Sequence, residues 1–374
     1  MKVLLVSTGL GIGGAERQVV DLASAMADQG HVVRIAYLAG LVLLRPNHPQ
    51  VRLEALAVEK NPLQVLSGLV RLVRLVRRFK PDVVHSHMVH ANLFCRLARI
   101  FVRMPALISS AHSSNEGGMF RMFCYRLTDR LATLSTNVSD AAVLEYEHKC
   151  AVAPGKMIRV HNGVDCRRFA FNAVARDRLR MERAVGDRPL FLAVGRLTEA
   201  KDYPTLLSGF AIVRARHPAA LLWVAGSGEL SGMLKQFASD LGLMNSVSFL
   251  GVRDDIPALL CAADVVVQSS CWEGFGLAIA EAMATERVVI STNTGGLAEV
   301  IGGEGFLAQP RQPEDLAAQM IAALQMSKSE ARAMGIRARQ RVLELFSLDA
   351  ALNRWMEIYQ QARAGQLRQR SDFR

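Results

Sequence analysis

The chain carries 374 residues, 51% of them hydrophobic, and a formal net charge of +11. Such a length predicts two or more domains, each large enough for its own core, and the lack of any run of about 18 uninterrupted apolar residues predicts no membrane-spanning helix. The positive balance points to acidic partners, whether nucleotide phosphates, a nucleic acid or an anionic membrane; with no zinc-finger, aromatic RNP-type or basic-zipper pattern, nucleic acid is set aside.

The N-terminal MKVLLVS reads as a first strand rather than a signal peptide, because its apolar stretch is short and runs straight into a glycine-rich turn. Behind it come a helix over GGAERQVVDLASAMADQG closed by Gly30, a strand over HVVRIAYL, a loop with Pro46 and Pro49, and a long helix from about Leu63 to Phe79. The alternation continues with strand PDVVHSH, helix ANLFCRLARIF, strand ALISSAH, a Gly117-Gly118 loop, a helix around Arg121 to Leu131, and short strands near ATLST and MIRVH. An Arg-rich stretch from Cys166 to Arg188 reads as linker plus helix, and a second alternation runs from Pro189 through LLWVAG, VSFLG, DVVVQS and VVIST. This pattern predicts an α/β protein with two Rossmann-like, doubly wound parallel sheets. The six cysteines, Cys95, Cys124, Cys150, Cys166, Cys261 and Cys271, form no C-x-x-C pair and read as reduced core thiols of a cytoplasmic protein.

Candidate chemistry follows the same order. GLGIGG satisfies G-x-G-x-x-G with Gly9, Gly11 and Gly14, but the second strand ends in Tyr37-Leu38-Ala39-Gly40 with no carboxylate for a ribose, which argues against a dinucleotide cofactor. Gly13 and Gly14 then either let the backbone approach a phosphate or acceptor, or simply make a tight strand-to-helix turn. The helix NPLQVLSGLVRLVRLVRRFK sets Arg71, Arg74 and Arg78 on one stripe and Leu69, Val73 and Val76 on another. It reads equally as a membrane-surface helix meeting anionic lipids or as a sheet-packing helix with a solvated basic face. His85, His87 and His90 could be metal ligands by spacing, yet no nearby Cys or acid completes a set, and packing at the strand end is the preferred reading. Arg196 and Lys201 stand five apart after a strand, at the sheet edge where such folds bind ligands; together they suit a diphosphate. Finally, SSCWEGFGLAIAEAMA places Glu273 and Glu281 around a turn and a helix start at Gly276-Leu277. Free N–H groups and the positive helix end suit a phosphate there, while the carboxylates suit sugar hydroxyls.

From GIGGAERQ, AHSSNEGG, NGVD, VGRLTEAKD, VAGSGEL, the glutamate segment and TGGLAEV, in order along nearly the whole chain, the sequence resembles the family 4 (group 1) retaining glycosyltransferases of GT-B architecture. The resemblance implies two Rossmann-like domains facing a cleft: 1–167 on the acceptor side, 168–348 binding the nucleotide sugar, a helix over 349–364 returning to the first domain, and a frayed tail over 365–374. It implies that His112 contacts the donor sugar near its anomeric carbon, that Glu273 holds donor-sugar hydroxyls, and that Glu281 holds the ribose. Arg196 and Lys201 would neutralise the leaving diphosphate, with Gly226 and Gly228 walling the base. Asn115 and Glu116 are candidates to read donor or acceptor hydroxyls. No Asp-x-Asp motif exists to hold a divalent ion, so neither metal nor other cofactor is expected.

Many enzymes resembling this one build lipopolysaccharide, O-antigen or capsule on a polyprenyl diphosphate carrier. The expected protein is therefore a metal-independent glycosyltransferase of cell-surface polysaccharide biosynthesis, cytoplasmic and peripheral on the inner membrane face. Its partners would be a nucleotide sugar, a saccharide or polyprenyl-diphosphate-linked acceptor, and an anionic membrane. A nucleotide-sugar epimerase on the same architecture and a non-catalytic sugar-nucleotide-binding protein are the alternatives; slow donor hydrolysis without acceptor separates an enzyme from a binder.

Overall fold

The structure, a computed structural model, describes residues 1–58, 61–114 and 117–366. The chain forms two compact units: Met1–Gly163 together with the segment that begins at Leu348, and Val164–Ser347.

The first unit opens with β1 (Lys2–Ser7), α1 (Gly14–Asp28), β2 (Val32–Tyr37), β3 (Arg52–Ala55) and α2 (Pro62–Phe79). Next are β4 (Val83–His87), α3 (Val89–Ala98), β5 (Ala106–Ser110), α4 (Met119–Thr128), β6 (Leu134–Asn137), α5 (Asp140–His148) and β7 (Met157–Arg159). The second unit holds α6 (Ala173–Glu182), β8 (Leu190–Val194), α7 (Tyr203–Arg216), β9 (Leu221–Ala225), α8 (Ser231–Asp240), β10 (Val247–Gly251) and α9 (Ile256–Ala262). It continues through β11 (Val265–Gln268), α10 (Leu277–Ala284), β12 (Val288–Thr292), α11 (Leu297–Ile301), β13 (Phe306–Ala308), α12 (Pro313–Gln325) and α13 (Lys328–Leu345). The last helix, α14 (Leu348–Ala364), belongs to the first unit.

Both sheets are parallel. Their strand orders are β3-β2-β1-β4-β5-β6-β7 and β10-β9-β8-β11-β12-β13. Each order reverses direction beside the strand that comes first in the chain, between β1 and β4 and between β8 and β11, which is where doubly wound folds gather ligands outside the strand carboxyl ends. The central strands are buried on both faces, as continuous apolar runs between two helix layers must be. In the first unit α1 and α14 close one face, with Val19, Leu22 and Met26 meeting Leu352, Trp355 and Ile358. On the other face Leu72, Leu75, Val76 and Phe79 of α2 pack with Phe94 and Cys95 of α3.

Several elements escape the sequence reading, α12 and α13 among them, and three show why. Edge strand β3, RLEA, lacks an apolar run; its register comes from pairing with Arg34–Tyr37 of β2 and from the 2.8 Å Arg34–Glu54 ion pair. Helix α5 has little apolar periodicity, and its start is fixed by the Ser139 side chain accepting from Ala142 N–H. Strand β13 is a three-residue edge element paired to β12. The cysteines also depart from expectation: Cys95 and Cys261 are buried, but Cys124, Cys166 and Cys271 are partly exposed and Cys150 is exposed, so they are not all core thiols. Cys150 follows α5 with φ +55°, where the chain turns at the surface. Among the described residues no helix is long and apolar enough to cross a membrane. Residues 367–374 of the expected frayed tail lie outside the described residues.

Candidate active site

In the second unit the polar loops converge at the reversal between β8 and β11. After β8 the chain runs through Gly195 and the exposed Arg196 into a short 3-10 turn, Glu199–Lys201. After β11 it runs through Ser269 and Ser270 to Glu273. The two loops are tied by the Cys271 N–H donating to Ala200 O at 2.9 Å and by the Ser269 hydroxyl donating to Lys201 O at 2.8 Å. Lys201 and Glu273, 72 residues apart, are thereby brought into a direct ion pair through Oε2.

Glu273 is held from several sides. Gln268 Nε2 donates to Oε2 at 2.6 Å, and the Ser270 hydroxyl stands 3.5 Å from the same oxygen. Its backbone is fixed by the TGG turn after β12: a Cβ on Gly295, at φ +55°, would lie 1.8 Å from Glu273 O. Thr292 and Thr294 hydroxyls donate to the carbonyls of Ser270 and Cys271 at 2.6 and 2.9 Å. A carboxylate on a loop braced this way keeps one geometry, the condition for a preorganised site. Gln268 was quoted in the sequence only as the end of a strand run; its position next to the loop that carries Glu273 was the available signal.

Helix α10 starts at Leu277 behind Gly276, whose φ is +96° and whose N-cap offers no side-chain hydrogen bond. The helix start is thus capped without an acid of its own, and Glu281 lies one turn further in, partly exposed. Gly226 and Gly228 have a structural reason to be glycine. Gly226 has φ +143°, and a Cβ there would sit 1.9 Å from Gly195 O; at Gly228 it would sit 2.3 Å from Leu197 O. The loops after β8 and β9 are therefore in backbone contact, joined by Leu197 N–H to Ser227 O and Leu230 N–H to Leu197 O at 3.0 and 3.1 Å.

In the first unit, Gly13 is the N-cap of α1 with extended backbone, φ −168°, and Gly14 opens the helix. The carboxylate of Glu16 lies against Gly13, where a Cβ would be 2.4 Å from Oε2. An acid in the first turn suits the helix dipole, and it means that an anion approaching Gly13 meets a carboxylate. The end of β2 carries no acid: Leu38 and Ala39 donate from the backbone to Ser7 O and Thr8 O.

At the reversal between β1 and β4 lies a layer of histidines. His85 Nδ1 is 2.6 Å from the Tyr359 hydroxyl and Nε2 is 2.7 Å from the Ser110 hydroxyl, which is itself 2.6 Å from Thr136 Oγ1. His87 Nδ1 meets His112 Nε2 at 3.0 Å. The rings of His85 and His87 lie 3.9 Å apart and Trp355 covers His85 at 4.3 Å. Burial drives His85 and His87 well below the ordinary histidine range, with neighbouring imidazoles adding to it, and brings His112 down to about 4. All three are neutral rings at neutral pH. His85 and His87 are engaged by hydroxyls and by His112, and His90 is exposed on α3; among the described residues no group of three or more His, Cys, Asp or Glu is placed to hold a metal ion. The pairing of His87 with His112 was not read from the sequence, although both stand at the ends of strands that prove adjacent, β4 and β5. Asn115 and Glu116 lie outside the described residues.

On the basic helix, Val73 and Val76 are buried against the sheet while Arg71, Arg74, Arg77 and Arg78 face outward. Arg71 is committed to Leu56 O and Ala57 O at 2.9 and 3.1 Å, and Arg78 lies 3.6 Å from Glu54. The helix is a sheet-packing element with a basic outer face.

Residues 12–168 match the family model Glycosyltransferase Family 4, and residues 176–341 match Glycosyl transferases group 1. An uncharacterized glycosyltransferase of Methanocaldococcus jannaschii is 31% identical over 259 residues, covering 64% of this chain and 65% of that protein. UDP-Gal:alpha-D-GlcNAc-diphosphoundecaprenol alpha-1,3-galactosyltransferase of Escherichia coli is 29% identical over 263 residues, covering 65% of this chain and 66% of that protein. The chain thus spans just under two thirds of the length of these two curated relatives. Among solved structures, Anabaena HepE in complex with UDP-glucose is similar with a TM-score of 0.85 at 24% identity, over 96% of this chain and 100% of that one. That likeness shows the fold, the two-sheet GT-B architecture. With one family model over each half of its length, the chain belongs to the family 4, group 1 glycosyltransferases.

Proposed function

We propose that the protein moves a sugar from a nucleoside diphosphate sugar to a saccharide or polyprenyl-diphosphate-linked acceptor in cell-surface polysaccharide biosynthesis, with retention of anomeric configuration. The observation that carries this reading is the braced Lys201–Glu273 pair beside the exposed Arg196 and the α10 N-terminus, all on one unit. Breaking the bond from the anomeric carbon to phosphate builds negative charge on the leaving diphosphate. Arg196 offers a planar fork and Lys201 further N–H donors beyond the one turned to Glu273, while the N-terminus of α10 adds a dipole. These groups can stabilise the leaving group without a divalent ion. Glu273, fixed by Gln268, is suited to accept from sugar hydroxyls, and Glu281 from the ribose. The diphosphoundecaprenol in the name of the Escherichia coli relative supports a lipid-linked acceptor.

The test is turnover in chelator. Activity that persists in EDTA, and thermal stabilisation by one of the UDP-, GDP- or ADP-sugars, fits the reading; activity lost in EDTA and restored by magnesium or manganese contradicts the assignment of the leaving group to Arg196 and Lys201.

The anionic-membrane partner of this reading is supported by α4 more than by α2. Met119, Phe120, Phe123 and Leu127 are between 61% and 78% exposed, and Arg121, Arg126 and Arg130 lie in the same segment. An apolar stripe flanked by arginines suits the interface of an anionic bilayer. Flotation with anionic vesicles should fall with salt and with Phe120→Asp or Phe123→Asp. Equal binding to neutral vesicles, or no effect of these changes, would count against it.

A further inference from the structure

Lys201 and Glu273 form their ion pair largely withdrawn from water, with side chains 21% and 18% exposed. When Lys201 turns to a diphosphate, the carboxylate it leaves needs other donors, because a charge stripped of its partner in a desolvated place is costly. Two such donors stand within the second unit. Gln268 Nε2 donates at 2.6 Å to Glu273 Oε2, the oxygen that also takes Lys201, and at 3.1 Å to the Ser270 hydroxyl oxygen. The Ser270 hydroxyl is itself 3.5 Å from Oε2. Gln268 and Ser270 are both buried, and the two N–H groups of the Gln268 amide each have an acceptor.

The amide is consistent with one orientation only. Gln268 Oε1 is buried with no hydrogen-bond partner among the described residues. Turned over, the amide would set that oxygen against the carboxylate and leave two N–H donors where nothing accepts them. One unpartnered carbonyl oxygen is the smaller defect. The sheet carries this amide: Gln268 is the last residue of β11 and pairs in register with Ser291 of β12. Glu273 is therefore held from a strand, independently of what Lys201 does.

We propose that Gln268 is a positioning residue for the diphosphate site: its amide keeps the Glu273 carboxylate satisfied as Lys201 turns to the diphosphate, and so lowers the cost of that exchange. This rests on the reading of Lys201 as a group that binds the diphosphate. A neutral donor suits the task, since it supports the carboxylate without bringing a second cation to compete for it. An apolar residue in its place would leave Glu273 to hold Lys201 back.

Calorimetry of the full chain with UDP, GDP and ADP, continued with whichever binds, reads the exchange in the absence of a sugar. Gln268→Met keeps the length of the side chain and removes its N–H donors; it should weaken nucleoside diphosphate binding by about five- to thirtyfold. Gln268→Asn keeps an amide but withdraws it by one carbon. It should weaken binding in the same direction, and it stands in if the Met variant does not fold. The decisive comparison is made in Glu273→Gln, where no carboxylate charge is left behind: adding Gln268→Met there should change affinity by less than about twofold. A Gln268→Met protein that binds as the wild type does overturns the proposal. So does an equal loss in both backgrounds, which would mark a general effect on the loop. Lys201→Ala separates the proposal from the reading beneath it. If that variant binds as tightly as the wild type, or if none of the three diphosphates binds, Lys201 is not a diphosphate group and the proposal falls with that reading.

Discussion

In the second unit Lys201 and Glu273 meet as an ion pair with partly exposed side chains; in the first, His87 and His112 meet as neutral rings beside His85, which Trp355 and Tyr359 contact. Both pairs stand at the carboxyl ends of strands beside the reversal of a parallel sheet, so the topology offers the same place twice. What differs is the solvent. Arg196 is exposed, and the side chains of Lys201 and Glu273 are 21% and 18% exposed. The histidine layer has been desolvated until charge is excluded, leaving direction as the property those rings supply. On the proposed function, the position in the second unit would serve electrostatic stabilisation, whereas the same position in the first unit holds a desolvated, neutral histidine layer.

The largest expected effect breaks the charged half. Arg196→Ala and Lys201→Ala should each lower kcat/KM by about 2 to 4 kcal/mol of transition-state stabilisation, roughly thirty- to a thousandfold. Steady-state kinetics with the donor that shifts melting most would show it; a loss below tenfold in either would remove that cation from the mechanism. Next in size is the frame that presents the charges. Gly226→Ala places a Cβ 1.9 Å from Gly195 O at φ +143°, and should cost about 1 to 3 kcal/mol in urea unfolding. An unchanged midpoint would mean that the loops after β8 and β9 part without cost.

A third prediction sharpens the neutral half. Folded His112 titrates at about 4 against the ordinary 6.5. Between those values the unfolded chain binds a proton that the native chain does not, so the stability is complete above pH 6.5 and is lost as pH falls toward 4. His112 alone should cost at most about 2 kcal/mol between pH 7 and pH 5; His85 and His87, also lowered, add in the same direction. Denaturant midpoints at the two pH values test this, and the drop should shrink in His112→Gln. A wild type equally stable at both would show that the rings protonate in place. The smallest effect marks where charge carries neither role: Arg78→Gln, which loosens an exposed 3.6 Å contact with Glu54, should change stability by less than about 0.5 kcal/mol.

How much of this was legible in the sequence depended on range. Parallel strands such as KVLLVS and VVIST announce themselves because burial on both faces demands continuous apolar runs. Edge strand β3 did not, since RLEA owes its state to Arg34 and the backbone of β2 rather than to its own pattern. Of the candidate site, the positions of Arg196, Lys201 and Glu273 at strand ends could be read locally, and their order matched a known family. The Lys201–Glu273 contact, Gln268 beneath it and the His87–His112 pair could not, because each joins strands whose adjacency only the sheet order supplies. The glycines illustrate the same limit: Gly226 and Gly228 read as walling the base, and the backbone neighbours that also require glycine there were not legible.

The central claim, that this site transfers a sugar from a nucleoside diphosphate with retention, is met most directly by the anomeric configuration of the product. With an α-linked donor and a saccharide or lipid-diphosphate acceptor incubated in EDTA, proton NMR should show an α-linked product, its anomeric coupling matching the donor. A β-linked product, or donor consumed with no new glycosidic bond, would contradict the account.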